Sequence, residues 1–369
     1  GGTFRGAAGA APGTYSDDGG SYCGTVIVPT GGDGSAAWVR EYDEVDVRWF
    51  GLDNTGVSDC APLFLAMMGK FTSGGGFLFP RGTYKFLRSG YAPDNILYDN
   101  ISIRGVGKAT KIVGNSPFGL ADDGGNQYWC VFQATGRTGV SIRDMSFSGY
   151  CGPASFYTCS DISVSGISDN GLLANPTKWL RNNSLYFNAC VGVSVTKNNF
   201  DNIAFSVYLD GPSWSYPTID SRVSDCRFTH TVAFGSFKAE WPVGVYLVYA
   251  KNAQVTGCYF QDIGSSGEDH THGGGTGYGI YDGDGQCDNV EIHGNIFVHT
   301  GRVGIFTGIM IATSYNATIT GNTITGPVRH GVHFASDITH QPDIPTISWV
   351  VSGLNFKSPS TTGYGILLD

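Results

Sequence analysis

Short stretches of alternating apolar and polar residues fill the second half of the chain, and one such stretch returns six times. Each copy ends in a turn residue that is followed, two positions later, by Phe or Ile. The six turn residues are Asn198, Cys226, Cys258, Asn295, Asn322 and Leu354. Their successive spacings are 28, 32, 37, 27 and 32 residues. A period near 30 with strand-like alternation, and without a helical period of 3.6, predicts a solenoid of β-strands. The pattern therefore predicts a parallel β-helix.

Stacking of the coils explains the residue types of the repeat. Successive coils lie about 4.8 Å apart, so equivalent residues form ladders along the axis. Inward Val, Ile and Phe side chains then form continuous apolar stacks. An Asn amide at the turn can bind backbone groups and the Asn of the next coil. Further coils start near Ile101, Val140 and Ile162, so we predict about nine coils.

A second ladder follows the first along the chain. Val or Ile precedes each of its members, and alternation places the members on the outer face. The predicted members are Tyr208, Tyr246, Tyr281, Phe306 and His333. Two interpretations stay open: a platform on which sugar rings stack, or a cross-coil aromatic ladder that packs under a loop or against another subunit.

Carboxyl groups cluster near this ladder and are the candidate catalytic groups: Asp210, Glu240, Asp282 and Asp284, with Glu268 and Asp269 in a nearby insertion. A glycosidase needs two carboxyls, about 6.5–9.5 Å apart when it inverts configuration. Asp282 and Asp284 are two residues apart on one strand, about 6.5–7 Å between Cα atoms. Asp210 is expected two coils from Asp282, about 9.6 Å along the axis. Either pair fits the inverting geometry.

Strict alternation conflicts with part of this assignment. It places Asp210 outward but Asp282 and Asp284 inward, where an unpaired carboxylate is costly. A bulge or a strand end in the Gly-rich segment around Gly283 would turn a carboxylate outward. The alternative for this segment is a solvated turn or a calcium-like loop, and for Glu240 an ordinary loop charge.

Basic and aromatic residues supply further candidate contacts. Trp241 is a candidate sugar-binding residue, and Arg302, Arg329, His330 and His333 could hold an acidic sugar or stabilise the charge of a lyase reaction. His270 and His272 form a weak zinc-like pair, and neither a metal nor another cofactor is expected. A second, less favoured cluster consists of His230, Asp262 and His299.

Composition excludes several classes of function. The 369 residues carry a net charge of −9, and no basic stripe suits a nucleic-acid partner. No run approaches 18 apolar residues, so no membrane insertion is expected. The nine cysteines show no CxxC spacing, which predicts reduced, buried thiols.

The segment 45–110 carries a more specific resemblance. It contains a strand ending in Phe50-Gly51, then Thr-Gly-Val-Ser-Asp59, a short helical stretch from Ala61 to Lys70, Phe-Pro-Arg-Gly-Thr-Tyr84 and Ile-Ser-Ile-Arg-Gly-Val-Gly107. This order resembles the opening of pectate-lyase-like β-helices of the bacteriophage tailspike type, although Asp53-Asn-Thr-Gly-Val-Ser-Asp-Cys60 departs from the usual Gly-Asp-Gly-Val-Thr-Asp-Asp. The resemblance implies a right-handed parallel β-helix over 45–369 capped by the short helix, and a homotrimer on a virion tail. Residues 1–44 are rich in Gly and Ala with little periodicity, which predicts a neck or linker. The last strand, which ends at Asp369, carries no polar cap, so we expect either a C-terminal cap or trimerisation region outside the chain or an end covered by neighbouring subunits.

The leading functional prediction is a depolymerase that binds and endo-hydrolyses bacterial surface polysaccharide. Its predicted catalytic residues are Asp210, Glu240, Asp282 and Asp284. Its predicted sugar-binding residues are Tyr208, Tyr246, Tyr281, Trp241, Arg302 and His333. Two alternatives remain: a lyase that cleaves uronic-acid polymers by β-elimination, and an adhesin or fibre that binds glycan without cutting it.

Overall fold

The structure is a computed structural model. It describes residues 3–20, 22, 24–87, 97–115, 130–148, 152–170, 183–201, 203, 205–229, 232–233, 243–265, 276–283, 285–299, 305–312, 314–326, 330–334, 348–357 and 364–368.

The described residues form 34 strands, one α-helix and one 3-10 helix. The first part of the chain contains β1 (Thr3–Ala7), β2 (Val26–Ile27), β3 (Ala37–Glu41), β4 (Val45–Asp46), the 3-10 helix (Val47–Phe50), β5 (Thr55–Asp59), α1 (Ala61–Met68), β6 (Gly75–Leu78), β7 (Gly82–Leu87) and β8 (Ile101–Asn115). The middle part contains β9 (Cys130–Thr135), β10 (Ser141–Ser148), β11 (Gly152–Tyr157), β12 (Ser160–Ser165), β13 (Ser168–Asn170), β14 (Asn183–Asn188), β15 (Val191–Thr196), β16 (Asn199–Asp201), β17 (Phe205–Asp210), β18 (Thr218–Ser224) and β19 (Arg227–Thr229). The last part contains β20 (Val232–Ala233), β21 (Val243–Leu247), β22 (Ala250–Thr256), β23 (Tyr259–Gln261), β24 (Gly264–Ser265), β25 (Thr276–Asp282), β26 (Asp288–His293), β27 (Ile296–Val298), β28 (Ile305–Ile311), β29 (Asn316–Thr320), β30 (Thr323–Thr325), β31 (His330–Phe334), β32 (Ser348–Ser352), β33 (Asn355–Lys357) and β34 (Tyr364–Leu368).

Three parallel sheets run along the coil. The long sheet contains β4, β6, β8, β10, β12, β15, β18, β22, β26, β29 and β32. The short sheet starts with β5 and β7 and continues from β8 and β10 through β13, β16, β19, β23, β27, β30 and β33. The third sheet, called here the tyrosine sheet, contains β9, β11, β14, β17, β21, β25, β28, β31 and β34. The long-sheet strands from β8 onward coincide with the nine predicted coil starts, and β4 and β6 add two strands that the prediction had not counted. The predicted right-handed parallel β-helix is confirmed.

Three turns that follow strands of the long sheet depend on one left-handed residue and one buried amide, that of Asn198, Asn295 or Asn322. Gly294 and Gly321, with φ of 66° and 63°, precede Asn295 and Asn322. Glycine adopts this backbone region without steric cost. The Asn322 Oδ1 atom accepts hydrogen bonds from the Asn295 backbone N–H at 2.9 Å and from its Nδ2 at 3.1 Å. Asn322 Nδ2 donates to the Ile292 carbonyl at 3.0 Å, so the predicted ladder of Asn side chains is confirmed.

A stack of phenylalanine rings fills the core behind the short sheet. Phe200, Phe228, Phe260 and Phe297 lie on successive coils with centroid separations of 5.2, 4.6 and 4.7 Å. The coil before Phe200 places Asp169 in this column, because Asp169 pairs with both Phe147 and Phe200. The predicted apolar ladder is therefore confirmed, with one carboxyl inside it.

Helix α1 closes one end of the core, as predicted for the segment Ala61 to Lys70. Phe64 of α1 is fully buried and its ring contacts those of Phe79, Phe86 and Phe132 at 6.1, 5.7 and 5.4 Å. These contacts cover apolar surface that the first coils leave unpaired. No helix in the described part of the chain is long and apolar enough to cross a membrane.

The segment predicted as a neck or linker contains an antiparallel sheet with strand order β1–β3–β2. Arg40 of β3 is buried between the rings of Phe4 and Trp49, at 4.2 and 4.0 Å from their centroids. This cation–π contact joins the sheet to the 3-10 helix of the first coil.

The cysteines that the structure describes are free thiols, and six of these seven are buried. Burial raises the pKa of the Cys60 thiol to about 11. A thiol of that pKa is protonated at neutral pH and is a poor nucleophile. Both observations agree with the predicted reduced, buried cysteines.

Candidate functional site

The outer face of the tyrosine sheet carries one continuous column of aromatic side chains. The pairing register aligns Tyr186, Tyr208, Tyr246 and Tyr281 on four successive strands. The residues on either side of each tyrosine in the same strand point inward. Val207 and Leu209, which flank Tyr208, are fully buried. The predicted alignment of Tyr208, Tyr246 and Tyr281 is therefore confirmed.

Phe306 is not a member of this column, and that prediction is wrong. Met310 pairs with Tyr281 and with His333, whereas Phe306 pairs with Gly277. The strand β28 and the glycine before it contain two Gly-Ile pairs, Gly304-Ile305 and Gly308-Ile309, and the second lies in register. The prediction of Phe306 as a column member rested on the first pair, Gly304-Ile305.

The rings of this column face one another and not solvent. The Tyr208 and Tyr246 rings stack with centroids 4.6 Å apart, and those of Tyr246 and Tyr281 lie 5.2 Å apart. The three side chains are only 9, 6 and 8% exposed. These rings therefore form a cross-coil ladder, and their predicted contact with sugars stays a prediction.

Asp210 lies at the end of β17 on the outer side of the tyrosine sheet, as predicted. The Tyr186 phenol donates a hydrogen bond to Asp210 Oδ2 at 2.5 Å. Asn188 Nδ2 donates to the same oxygen at 3.1 Å and to the Tyr186 hydroxyl oxygen at 3.0 Å. Burial raises the pKa of Asp210 above its usual value, although these hydrogen bonds oppose the shift. Asp210 is thus a half-buried carboxyl that retains its proton to a higher pH than usual.

Asp282 lies inside the core, so the proposed bulge that would turn it outward is wrong. It pairs with Leu247 and Ile311 in an inward aliphatic column and is fully buried. The Ser314 hydroxyl donates a hydrogen bond to Asp282 Oδ2. Alternation along β25 holds to its last residue. Asp210 and Asp282 therefore face opposite sides of the tyrosine sheet and cannot flank one glycosidic bond.

Several predicted site residues lie outside the described residues. They are Glu240, Trp241, Asp284 and Arg302, together with the secondary candidates His230, Glu268, Asp269, His270, His272 and Arg329. The described residue that precedes Asp284 in the sequence is Gly283, which is in register with Asp210. Val248 N–H donates to the Leu209 carbonyl and Gly283 N–H to the Leu247 carbonyl, so Gly283 lies two coils from Asp210.

Two histidine pairs lie farther along the solenoid. His333 is partly exposed in the predicted column, and its ring lies 5.1 Å from that of buried His330. On the far side of the short sheet, His299 Nδ1 lies 3.5 Å from Asp262 Oδ1, and both side chains are buried. The predicted proximity of Asp262 and His299 is thus confirmed. Within the described ranges, no three His, Cys, Asp or Glu side chains are grouped as metal ligands.

Sequence reasoning missed Tyr186 and Asn188. Their strand reads Tyr-Phe-Asn where the next coil reads Tyr208-Leu-Asp210, so each places a tyrosine two positions before a polar residue. This signal was overlooked because the two strands are only 22 residues apart, not about 30 (Tyr186 to Tyr208).

Comparison with solved structures assigns the fold. The tailspike protein of Acinetobacter baumannii phage AM24 matches with a TM-score of 0.54 and 15% identity, over 95% of this chain and 59% of the tailspike. The fold is that of tailspike β-helices. PfbA, a surface adhesin of Streptococcus pneumoniae, matches with a TM-score of 0.50 and 10% identity, over 88% of this chain and 91% of PfbA. ORF18 of Geobacillus virus E2 is 17% identical with a TM-score of 0.46, over 89% and 61% of the two chains.

At these identities the likeness establishes the fold alone. The chain spans about three fifths of the length of the two virus proteins. No protein-family model matches the sequence, and no curated protein does.

Proposed function

We propose that the chain is the β-helix of a tailspike-type depolymerase that binds and endo-hydrolyses a bacterial surface polysaccharide. The observation that carries this proposal is the state of Asp210. A glycosidase acid must hold its proton near the working pH. Burial at the end of β17 raises the pKa of Asp210 in that direction, against the opposing hydrogen bonds from Tyr186 and Asn188. Asp210 protonates the glycosidic oxygen as the bond to the anomeric carbon breaks.

The second carboxyl is Asp284 or Glu240 in this proposal. Asp284 follows Gly283, two coils from Asp210, which corresponds to about 9.6 Å along the axis. That spacing suits an inverting enzyme, in which the second carboxylate activates a water molecule on the opposite face of the sugar. Glu240 stands three residues before β21, the strand that pairs with β17. Asp282 has no part in the reaction because its side chain is in the core.

Sugar binding in this proposal uses the tyrosine column. Tyr208, Tyr246 and Tyr281 follow one another in register on the same face of the tyrosine sheet as Asp210, and partly exposed His333 extends this column along the axis. Trp241 and Arg302 remain predicted contacts. The proposal also includes a homotrimer on a virion tail that meets its polysaccharide outside the host cell, in line with the tailspike fold. Light scattering of the purified protein tests the trimer.

The test of the activity is incubation with capsular and O-antigen polysaccharides from a panel of bacteria. Chain length is followed by size exclusion and unsaturated uronate by ultraviolet absorbance. We expect shortening without new absorbance. Asp210→Asn should reduce the rate by about a hundredfold or more, since general acid catalysis contributes about 10²–10⁴-fold. Asp220→Asn is the matched control, because Asp220 is an exposed residue of the following strand.

Two outcomes would contradict hydrolysis. Shortening with new absorbance would identify a lyase. Binding without shortening would identify an adhesin, which is what the similarly folded PfbA is. Full activity of Asp210→Asn would remove Asp210 from the mechanism under any of these functions.

A further inference from the structure

The loop between β17 and β18 displays aromatic side chains that the tyrosine column does not include. It begins at Gly211, directly after Asp210, and contains a turn in which the Tyr216 N–H donates to the Ser213 carbonyl at 3.0 Å. Tyr216 is 67% exposed and Trp214 is half-buried. Exposed aromatic rings on a loop next to a candidate site are typical of recognition surfaces.

Trp214 reaches along the solenoid axis instead of packing on its own coil. Its ring lies under Lys251 of the next coil, with Nζ 3.6 Å from the ring centroid. The same ring lies 5.4 Å from that of Tyr315, three coils away from the Trp214 loop, a distance of about 14 Å along the axis. Trp214, Tyr216, Lys251 and Tyr315 are called here the loop platform.

The ammonium group of Lys251 has no carboxylate partner among the described residues. Its neighbour in register on the next coil is Asp288, whose Oδ1 accepts a hydrogen bond from Asn316 Nδ2 at 2.8 Å. A cation over the face of Trp214 is held in place by the ring while its N–H groups can still donate to a ligand. The loop platform therefore combines apolar ring surface with a positioned positive charge.

We propose that the loop platform binds a sugar residue that carries a carboxylate, at the end of a glycan that extends from Asp210. The exposed ring of Tyr216 accepts the apolar face of a pyranose. Lys251, which the Trp214 ring holds in place, pairs with the carboxylate of the same sugar. The charge of Lys251 favours an acidic sugar over a neutral one. The inference rests on the proposed glycan binding, and it names the substrate class as an acidic polysaccharide.

Binding without cleavage tests the inference separately from the reaction. The Asp210→Asn protein is immobilised, and retention of uronate-containing capsular polysaccharides is compared with that of their carboxyl-reduced derivatives and of neutral polysaccharides. We expect retention of acidic chains. Trp214→Ala and Tyr216→Ala should each weaken it by about tenfold or more, as is usual for aromatic anchors. Lys251→Met and carboxyl reduction should produce similar losses that do not add.

Matched controls are Trp38→Ala and Lys111→Met, which remove an exposed tryptophan and an exposed lysine elsewhere in the chain. The Tyr216 side chain is largely exposed, so we expect the Tyr216→Ala variant to fold like the parent, and a loss of retention in this variant reports on binding. The inference is overturned if the platform variants retain acidic chains as the parent does, if only neutral chains are retained, or if none is. The inference is also overturned if a platform variant changes the molecular mass of the protein in light scattering but leaves the retention of polysaccharide unchanged, because the surface would then be a subunit contact.

These outcomes are distinct from failure of the proposed hydrolysis. If the polysaccharide is retained through Trp214 and Lys251 but is never cleaved, the loop platform is supported and the proposed hydrolysis is refuted. If it is cleaved and its retention does not depend on either residue, the hydrolysis is supported and the loop platform is refuted.

Discussion

The Tyr186 phenol lies one coil from Asp210 and donates a hydrogen bond to its carboxylate oxygen Oδ2 at 2.5 Å. This bond favours the ionised form of Asp210, whereas burial favours the protonated form, and burial is the larger effect. The pKa of Asp210 therefore depends on two opposed influences, burial and the Tyr186 hydrogen bond, and mutation can separate them.

Tyr186→Phe should move the alkaline limb of the pH–rate profile to higher pH. Without the phenol donor the ionised form of Asp210 loses stabilisation, so its pKa rises further and the acid stays protonated longer. A profile of polysaccharide cleavage rate against pH measures the shift. Tyr157→Phe, on the neighbouring coil, is the control and should leave the limb unchanged. An alkaline limb that moves to lower pH in Tyr186→Phe would refute the assignment of Asp210 as the acid.

Asp169 should make the protein less stable at alkaline pH. Burial raises the pKa of this carboxyl to about 7, although Ser184 donates a hydrogen bond to its Oδ2 at 2.5 Å. The folded state binds the proton more tightly than the unfolded state. The resulting stability is fully present below the usual pKa and is lost as pH rises through about 7. The loss is of the order of 4 kcal/mol at high pH.

Chemical denaturation at pH 5 and pH 9 measures this effect. Asp169→Asn should remove most of the difference between the two pH values, whereas Asp220→Asn, at an exposed position, should keep it. Equal pH dependence of the parent and Asp169→Asn would show that Asp169 is ionised in the folded protein throughout.

Asn322→Ala should cost about 2–4 kcal/mol of unfolding free energy. It leaves the buried Asn295 N–H and the Ile292 carbonyl without their partners, each of which costs about 1–3 kcal/mol. Asn316→Ala removes an exposed amide that donates to Asp288 and should cost less than about 0.5 kcal/mol. Urea midpoints of both variants decide the point; similar losses in the two would contradict the buried amide ladder.

Phe260→Ala should be among the most destabilising single changes in the core. The ring is fully buried between those of Phe228 and Phe297, at 4.6 and 4.7 Å, and its loss leaves a cavity. Such truncations cost about 3–5 kcal/mol. Tyr259→Ala, one residue earlier and partly exposed, should cost much less in the same denaturation experiment. A comparable loss at Tyr259 would show that the ring stack is not the dominant contribution.

The repeat made most of the fold predictable because its physics is local and periodic. A left-handed residue, a buried Asn and a stacked Phe recur at matching positions in several coils, so Asn295, Asn322 and Phe297 could be placed from spacing alone. The candidate site was less predictable, because the exposure of its tyrosine side chains depends on how the rings of neighbouring coils pack. Tyr246 has the correct register but is covered by its neighbours.

Asp282 and Phe306 illustrate two further limits. Alternation correctly placed Asp282 inward. The wrong prediction of a bulge at this position came from the expectation that a carboxylate avoids the core. The core accepts it because Ser314, 32 residues away, supplies a hydroxyl donor. Phe306 was misplaced because β28 and the residue before it offer two equivalent Gly-Ile pairs, and only the neighbouring coils select one of them.

Asp169 interrupts the column of rings between Phe147 and the stack that begins at Phe200. Coils of a solenoid are coupled to their nearest neighbours, so the interruption weakens the side-chain contact between two adjacent coils. One of these coils carries Asp169 and Tyr186, and the other carries Phe200 and Asp210. The hydrogen bond of the candidate acid joins the same two coils. We therefore expect ionisation of the carboxyl in the core to change the acidity of the carboxyl at the surface.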